Sequence, residues 1–458
     1  MAGRVSTLPE RRWLLVLSPI LAAIFYAPLA WGATTEGTLA ILDCLFAASF
    51  LGWVCLLVVE RRIPLLSPCC WVLLPFIAIL GSIHWVNPKA VFYEVFWAFN
   101  SIESAITWLP GTFDRTATEE VLIHLYAWLA GLFVLLDACS HSRVRWLLFK
   151  ALAISGFVTA LIGIFQKAGG VESMLWVEPD PRSYGNGLFF AAFRYHGNAA
   201  SFLNLSWPAA LAVFLRERDS GRGGVRSSIW TMVLVITVLG VFVNTSKAGL
   251  LLGVIGLILA LIRFRKSIFV GSKMVMLVSG VMLLGLALVL VMPAIERLKE
   301  RWSQQSYSTS FGGRSEAYSI CLRMLPDSGA YGFGPGTFRL IFPLYQDESS
   351  GRGITDFFWY HAHQDYLQTL IEWGILGALA WLAFFAVGLF RGASKVKSSV
   401  RGNRLEYSTS CALIAMIIVL LHATVDFPFQ IPAIQLPVAV YMAVLWAKQD
   451  ARQQKRPA

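Results

Sequence analysis

The residues best suited to chemistry lie in a short polar stretch, residues 361–366, which reads His-Ala-His-Gln-Asp-Tyr directly before a long apolar run. A helix that begins near Asp365 would place His363 at its N-terminus, where the partial positive charge of the helix disfavours protonation of the imidazole. A neutral histidine accepts a proton from an attacking hydroxyl group. His363 is therefore a candidate general base, although the stretch taken alone favours a histidine that only caps the helix or marks the membrane boundary.

Cations outside the apolar runs form a second group of candidates. Arg314 follows two glycines and opens a segment with helical spacing, and its guanidinium geometry suits a phosphate or pyrophosphate. Lys247 lies in a very short connection between two apolar runs, where a cation needs an anion, a lipid phosphate or water nearby. Both are candidate phosphate ligands, with a lipid headgroup contact or a solvated loop charge as the alternative. That alternative is favoured for Arg323, Arg339 and Arg352.

Two loop motifs give weaker signals. Residues 332–336 read Gly-Phe-Gly-Pro-Gly and could present backbone N–H groups to an anion, but they lack the strand and lysine of a P-loop, so a tight turn is favoured. Glu178 and Asp180 form an acidic pair of the kind that binds a divalent metal in some membrane glycosyltransferases. The flanking prolines favour an ordinary acidic loop.

The elements that must position these residues are membrane helices. Of the 458 residues, 57% are hydrophobic and only 14% are charged, against about 25% charged in soluble domains. Apolar runs near the spanning length of about 20 residues recur along the chain, which excludes a soluble enzyme or a disordered chain. The composition predicts an all-α polytopic membrane protein.

Twelve apolar runs are predicted to span the membrane. Lys and Arg concentrate in alternate connections between them, so the net charge of +11 reflects the positive-inside bias and not a nucleic-acid partner. Both ends are then cytoplasmic, and residues 87–117, 168–197 and 293–365 are outer segments. The expected organisation is a membrane bundle over 1–292, a large, partly helical outer loop over 293–365, and C-terminal membrane helices with a basic tail over 366–458. The predicted spans are residues 13–32, 38–59, 69–86, 118–138, 145–166, 198–215, 229–245, 249–263, 273–292, 366–390, 406–425 and 431–447.

Three stretches of this sequence resemble the O-antigen ligase family. The clearest is His363-Gln364 followed, after nine residues, by Gly-Ile-Leu-Gly at 374–377. Upstream, the segment 314–336 resembles the family's arginine-to-glycine-loop region, and downstream residues 422–427 resemble its His-x-x-x-Asp-Phe stretch. One departure is Lys247, which stands where the family usually has arginine and keeps the charge without the bidentate fork.

The resemblance implies a GT-C-like membrane enzyme of lipopolysaccharide or other polysaccharide biosynthesis in the bacterial inner membrane, with a periplasmic active site. A glycan on undecaprenyl pyrophosphate would pass to an acceptor hydroxyl, which for a ligase belongs to lipid A–core. His363 would accept the proton, while Arg314 and Lys247 would hold the pyrophosphate without a metal or other cofactor. The expected partners are therefore the carrier-linked donor, the glycan or protein acceptor and membrane lipids. The substrate-binding candidates are Arg194, His361, Gln364, Trp359 and Tyr360.

Other functions are alternatives to a ligase. An O-antigen or exopolysaccharide polymerase, or a protein O-oligosaccharyltransferase, would share the motifs and differ in its acceptor. A transporter or flippase of lipid-linked sugars would instead depend on charges inside the membrane, for which Asp43, His124 and Glu372 are the candidates. In that case His363 would be dispensable.

Overall fold

The computed structural model describes residues 8–171, 173–177, 189–220, 224–268, 307–346, 359–398 and 404–448. Within these ranges the chain is mainly helical, with one small hairpin of strands β1 (Ala90–Tyr93) and β2 (Ala98–Ser101). The helices are α1 Leu8–Leu29, α2 Glu36–Glu60, α3 Pro68–Val86, α4 Arg115–Ala138, α5 Ser142–Ala168, α6 His196–Asp219, α7 Val225–Val243, α8 Lys247–Ile268, α9 Tyr307–Ser328, α10 Phe338–Ile341, α11 Asp365–Ser398, α12 Arg404–His422 and α13 Pro432–Trp446.

Nine of the helices in the described ranges are long and apolar enough to cross a membrane. They are α1 to α8 and α11, and each coincides with a predicted span. The predicted spans 406–425 and 431–447 correspond to α12 and α13, whose apolar segments are shorter. The predicted span 273–292 lies outside the described residues. The prediction of a polytopic, all-α membrane protein is confirmed, while the number of twelve spans stays a prediction.

Helix α6 lies at the centre of the bundle and is almost entirely buried. It packs against α5, α7 and α12, and small residues bring the backbones together. A Cβ atom on Gly156 of α5 would lie 2.1 Å from the Cβ of Ser206, and one on Gly240 of α7 would lie 2.6 Å from the Cβ of Ala160. Close contact through small residues is the usual way in which helices associate where no water drives them together.

Beside the bundle, α9 and α10 form a separate layer with its own apolar core. Cys321 and Met324 of α9 are buried with Phe338 and Phe342, and Ile371 of α11 belongs to the same cluster. The sequence predicts a helix over 314–325 followed by a turn at Pro326, but α9 runs from Tyr307 to Ser328 with this proline inside it. Pro326 has no N–H to donate to the carbonyl of residue 322, so α9 lacks one internal hydrogen bond in its last turn.

Several helices begin at the same end of the molecule. Gly249 near the start of α8 packs against Ala200 near the start of α6. At the start of α11, Asp365 accepts hydrogen bonds from the backbone N–H of Phe429 at 2.9 Å and from Gln430 Nε2 at 3.2 Å. This carboxylate thereby fixes the connection between α12 and α13 against α11. The segments that carry the predicted site residues Arg194, Lys247, Arg314 and His363 thus share one end of the bundle.

Candidate active site

His363 lies two residues before α11 in an unusual backbone conformation. Its φ angle is +51°, a left-handed value that few residues other than glycine adopt. The Tyr318 hydroxyl donates a hydrogen bond to the His363 carbonyl oxygen at 2.8 Å, and Asp365 begins the helix immediately after it. Local strain of this kind persists where surrounding contacts fix the residue, and such residues are often functional.

The imidazole of His363 is paired with a buried carboxylate. Its Nδ1 atom lies 3.1 Å from Oδ1 of Asp426; the side chain of Asp426 is 4% exposed and that of His363 is 23% exposed. In a neutral ring, Nδ1–H would donate to the carboxylate, which leaves the lone pair of Nε2 available as a proton acceptor. His363, the expected base, therefore has a carboxylate partner. It also lies near the N-terminus of α11, the feature from which a neutral ring was predicted.

Asp426 is held in its charged form although it is buried. Burial by itself would raise its pKa, but the hydrogen bond from His363 and the nearby charge of Arg314 hold that pKa below its usual value. The backbone N–H of Phe427 donates a further hydrogen bond to Oδ1 at 3.1 Å. A charged carboxylate in this position fixes the orientation of the imidazole and stabilises the imidazolium ion that forms when the ring accepts a proton.

Arg314 joins the same network from α9. Its Nη1 atom donates to the carbonyl oxygen of Val425 at 3.1 Å, and Nη2 donates to the hydroxyl oxygen of Tyr195 at 3.1 Å. Burial lowers the pKa of Arg314, but its neighbours Tyr195 and Asp426 raise it by more, so the guanidinium keeps its charge. The structure thus brings the two main candidates, His363 and Arg314, near the same carboxylate, that of Asp426.

Aromatic rings enclose the imidazole. The Phe427 ring centroid lies 4.7 Å from that of His363, and the Trp359 centroid lies 5.3 Å away, both edge to face. On its other side Phe427 stacks on Tyr195 at 5.9 Å and on His361 at 4.5 Å. These contacts limit rotation of the His363 ring and reduce the water around it, which strengthens its interaction with Asp426.

His361 differs from His363 in its environment. Burial, followed by the proximity of His363, lowers the pKa of His361 to about 4. Its ring is therefore neutral near pH 7, and its buried Nδ1 atom has no hydrogen-bond partner among the described residues. The ring has the properties of a neutral stacking partner for Phe427 and not of a proton carrier at neutral pH. Its predicted role in substrate binding stays a prediction.

The other predicted substrate-binding residues occupy different positions around this network. The Gln364 side chain accepts a hydrogen bond from the backbone N–H of Leu367 at 2.6 Å and so caps α11. Tyr360 is 58% exposed and lies under the guanidinium of Arg339, at 5.8 Å. Arg194 is exposed beside Tyr195, and Lys247 is the exposed first residue of α8. Their contacts with a substrate stay predictions.

The glycine-rich loop binds an acidic side chain of its own chain. The backbone N–H of Gly334 donates to the Glu372 carbonyl oxygen at 2.9 Å, and the N–H of Phe338 donates to the Glu372 carboxylate at 3.3 Å. Gly332 has φ +78°, and a Cβ there would lie 2.3 Å from the Glu372 carbonyl oxygen. The loop is therefore a tight turn against α11, which is the interpretation that the sequence favoured.

Of the charges predicted inside the membrane, two form a pair. His124 Nδ1 lies 2.6 Å from Asp43 Oδ1, and its Nε2 lies 2.7 Å from Oε1 of Gln435. The Glu372 carboxylate instead accepts hydrogen bonds from the Phe338 N–H at 3.3 Å and from Gln368 Nε2 at 3.2 Å. The acidic pair Glu178 and Asp180 lies outside the described residues.

Asp426, Tyr195 and Phe427 are the members of this network that the sequence analysis did not single out as site residues. A signal for Asp426 and Phe427 was present, because both belong to the His-x-x-x-Asp-Phe stretch at 422–427. For Tyr195 the signal in the sequence was only its position beside Arg194. Its proximity to Arg314 depends on the packing of α6 against distant segments, which no local pattern reports.

Comparison with known proteins gives one family match, over part of the chain. Residues 232–382 match the family model described as O-antigen ligase, and a search of curated proteins found no match. The matched segment contains Lys247, Arg314 and His363, whereas Tyr195 and Asp426 lie outside it. The resemblance seen in the sequence motifs is thereby confirmed for residues 232–382, which match the O-antigen ligase family.

Proposed function

We propose that this membrane glycan ligase or polymerase transfers a glycan from undecaprenyl pyrophosphate to an acceptor hydroxyl at the periplasmic face of the bacterial inner membrane. O-antigen ligation to lipid A–core is the specific reaction that we propose. The observation that carries the proposal is the pairing of His363 with Asp426 beside Arg314, because it places a proton acceptor and a fixed cation in one site.

His363 is the proposed general base. The acceptor O–H proton moves to Nε2, and the acceptor oxygen forms a bond to the anomeric carbon of the donor sugar. The bond between that carbon and the pyrophosphate oxygen breaks, and its electron pair leaves with undecaprenyl pyrophosphate. Asp426 acts as a positioning residue that keeps Nε2 directed toward the acceptor and stabilises the resulting imidazolium.

Fixed cations are proposed to stabilise the leaving group. Negative charge grows on the pyrophosphate as the bond breaks, and Arg314 lies near enough to Asp426 to lower the pKa of that carboxyl. Lys247 lies at the N-terminus of α8, where the helix dipole adds a partial positive charge for an anion. Loss of either cation should reduce the rate about 10²–10³-fold, by analogy with the loss of one oxyanion-hole donor.

These cations are proposed to replace a divalent metal in the reaction. Activity of the purified enzyme should then survive a chelator. Loss of activity with a chelator and its return with Mg²⁺ or Mn²⁺ would instead support the acidic pair Glu178 and Asp180 as metal ligands.

The remaining candidates are proposed to bind the sugars. Trp359 lies against His363 and offers a ring for sugar stacking, and exposed Tyr360 follows it. We propose that the glycan or its phosphate contacts His361, Gln364 and Arg194. The side-chain oxygen of Gln364 already caps α11.

The test is to replace His363 and Arg314 singly by alanine and to measure surface glycan and the pool of carrier-linked glycan. Arg323→Ala is the matched control, because Arg323 lies on the same helix and also donates to a backbone carbonyl, that of Tyr345 at 2.9 Å. A ligase defect leaves full-length polymer on the carrier lipid. Normal glycan in both variants, at normal membrane levels, would refute the site.

The same experiment separates the alternatives. A polymerase defect leaves only single repeats on the carrier, and a protein O-oligosaccharyltransferase defect leaves an unmodified acceptor protein. The Asp43–His124 pair is the one observation that favours a transporter, since ionisable residues inside the membrane often mark transport paths. For a flippase, Asp43→Asn would leave carrier-linked sugar facing the cytoplasm, and His363→Ala would have no effect.

A further inference from the structure

Three cationic side chains meet at the end of the bundle opposite to the candidate active site. Lys395, near the end of α11, donates hydrogen bonds from Nζ to the carbonyl oxygens of Val444 and Leu445 at 3.1 and 2.7 Å. Arg391, one turn earlier, lies 5.5 Å from the ring centroid of Trp446. Arg145, near the start of α5, donates from Nη1 to the carbonyl oxygen of Cys139 at 2.9 Å. We call these three residues the basic cluster.

Close packing of α11 on α13 brings the basic cluster together. A Cβ on Gly388 would lie 2.6 Å from Met442 Cε, and one on Gly392 would lie 2.4 Å from Leu445 Cδ2. Two glycines one turn apart therefore let α11 approach the last turn of α13. Both Arg391 and Arg145 are near enough to Lys395 to lower its pKa, so the three cations lie in one region at the ends of α4 and α13.

The basic cluster has more positive charge than its surroundings neutralise. The carbonyl ends of α4 and α13 each supply about half a negative charge. Two guanidinium groups face them, together with the Lys395 amine, whose pKa burial and the two nearby arginines lower to about 7. None of the three cations forms an ion pair with a carboxylate among the described residues. Buried charges are normally paired, because removing a cation from water without a counter-ion is costly.

Hydrogen-bond donors in the basic cluster also lack acceptors. Arg145 is only 6% exposed, so water does not satisfy its guanidinium. The buried Nε atoms of Arg145 and Arg391 have no hydrogen-bond partner among the described residues. Capping of helix ends accounts for the bonds to the carbonyl oxygens but leaves these two N–H groups without an acceptor.

We propose that the basic cluster binds the phosphate of an anionic phospholipid headgroup. Basic pockets between membrane helices are typical sites for such headgroups, and an arginine fork matches the oxygens of a phosphate. A lipid is favoured over free phosphate because α11 presents exposed apolar side chains beside the cluster and further along the same helix: Phe390, next to Arg391, is 73% exposed, and Leu382, about two turns earlier, is 58% exposed. Acyl chains would cover that surface while the phosphate occupies the cluster. This site is separate from the proposed glycan transfer.

The test measures the thermal unfolding midpoint of the purified full chain in detergent during titration with phosphatidylglycerol, phosphatidylcholine or inorganic phosphate. Ligands that bind the folded state raise the midpoint as their concentration rises. We expect phosphatidylglycerol to raise it more than phosphatidylcholine. Arg391→Gln and Arg145→Gln should weaken the apparent affinity for phosphatidylglycerol about tenfold or more. Arg143→Gln is the matched control, because Arg143 is exposed two residues before Arg145.

Each outcome decides the proposal. Equal protection by inorganic phosphate and phosphatidylglycerol, lost in the two variants, would retain the phosphate site but identify free phosphate as its ligand. Equal midpoints with both lipids and no effect of phosphate would show that the cations only cap helix ends, and the proposal would fail. If the glutamine variants do not fold, Arg391→Lys keeps the charge without the fork and should bind phosphatidylglycerol more weakly than the wild type. Unchanged binding in that variant would also count against the site.

Discussion

Replacement of Asp426 by asparagine isolates the contribution of the carboxylate that orients His363. The change keeps the size of the side chain and removes its charge. The amide can present either its oxygen or its NH₂ group to Nδ1, so the ring loses its fixed tautomer. We expect the variant to fold, to bind the donor and to transfer glycan slowly.

The expected loss follows from the geometry. Nδ1 and Oδ1 are 3.1 Å apart, which places the centres of the two charged groups about 4–5 Å apart once the imidazole is protonated. At an effective dielectric constant of about 20, the attraction between two unit charges at that distance is about 4 kcal/mol. Loss of most of this stabilisation in the transition state corresponds to a decrease of about 10²–10³-fold in kcat.

The assay is transfer of a labelled, carrier-linked glycan to acceptor by the reconstituted enzyme, with kcat and KM measured separately. A positioning role predicts that kcat falls while KM changes little. Asp114→Asn is the control, because Asp114 caps α4 through a hydrogen bond from the Ala117 N–H at 2.7 Å and asparagine is a comparable cap. A wild-type kcat in Asp426→Asn, together with an inactive His363→Ala, would refute the carboxylate's role.

Three other substitutions test the surroundings of this pair. Tyr195→Phe removes the acceptor of the Arg314 Nη2 hydrogen bond, and we expect about a tenfold lower transfer rate. An unchanged rate would show that this hydrogen bond does not determine the position of Arg314. His361→Phe should preserve stacking on Phe427 and leave the pH profile of the transfer rate unchanged between pH 6 and 8. The reason is that a histidine whose pKa is about 4 stays neutral over that range. A change in the pH dependence of the rate over that range would contradict this prediction. Gly197→Ala places a Cβ 2.7 Å from Asp426 Oδ2 and 2.4 Å from Tyr195 Cε1, so we expect at least a tenfold lower transfer rate and a lower unfolding midpoint. The control is Gly37→Ala, whose Cβ meets nothing within 4 Å and which should change neither quantity.

The membrane helices could be predicted from the sequence because their signal is local. An apolar run of spanning length has few alternatives to a helix, since the backbone must satisfy its own hydrogen bonds in lipid. The hairpin of β1 and β2 was not predicted. Its strands have four residues each, too few for alternation to be distinguished from an irregular loop.

The candidate site was predictable only in part. His363 and Arg314 could be identified because residue type, position at a span and family motif agreed. Their common partner Asp426 lies 63 residues after His363 in the sequence, and the contact requires α11 and α12 to pack so that Asp365 holds residues 429 and 430. Side-chain pairing across helices is set by packing, and a single sequence carries no direct record of it.

The left-handed backbone of His363 was likewise invisible in the sequence. Its conformation depends on Tyr318, which holds the His363 carbonyl from a different helix. The use of Gln364 as a helix cap could have been considered, since a polar residue before an apolar run is typical of helix starts. A role for Gln364 in substrate binding is implied only by the family resemblance.

The position of Tyr195 and Asp426 outside the matched segment has a consequence for protein engineering. Residues 232–382 contain the proposed base and the proposed cation, yet the groups that contact them come from the residue before α6 and from the connection between α12 and α13. A chimaera that exchanges only this segment with that of a relative would combine the relative's candidate site residues with Tyr195 and Asp426 of this chain. Specificity transplants in this chain therefore have to carry positions 195 and 426 along with the segment.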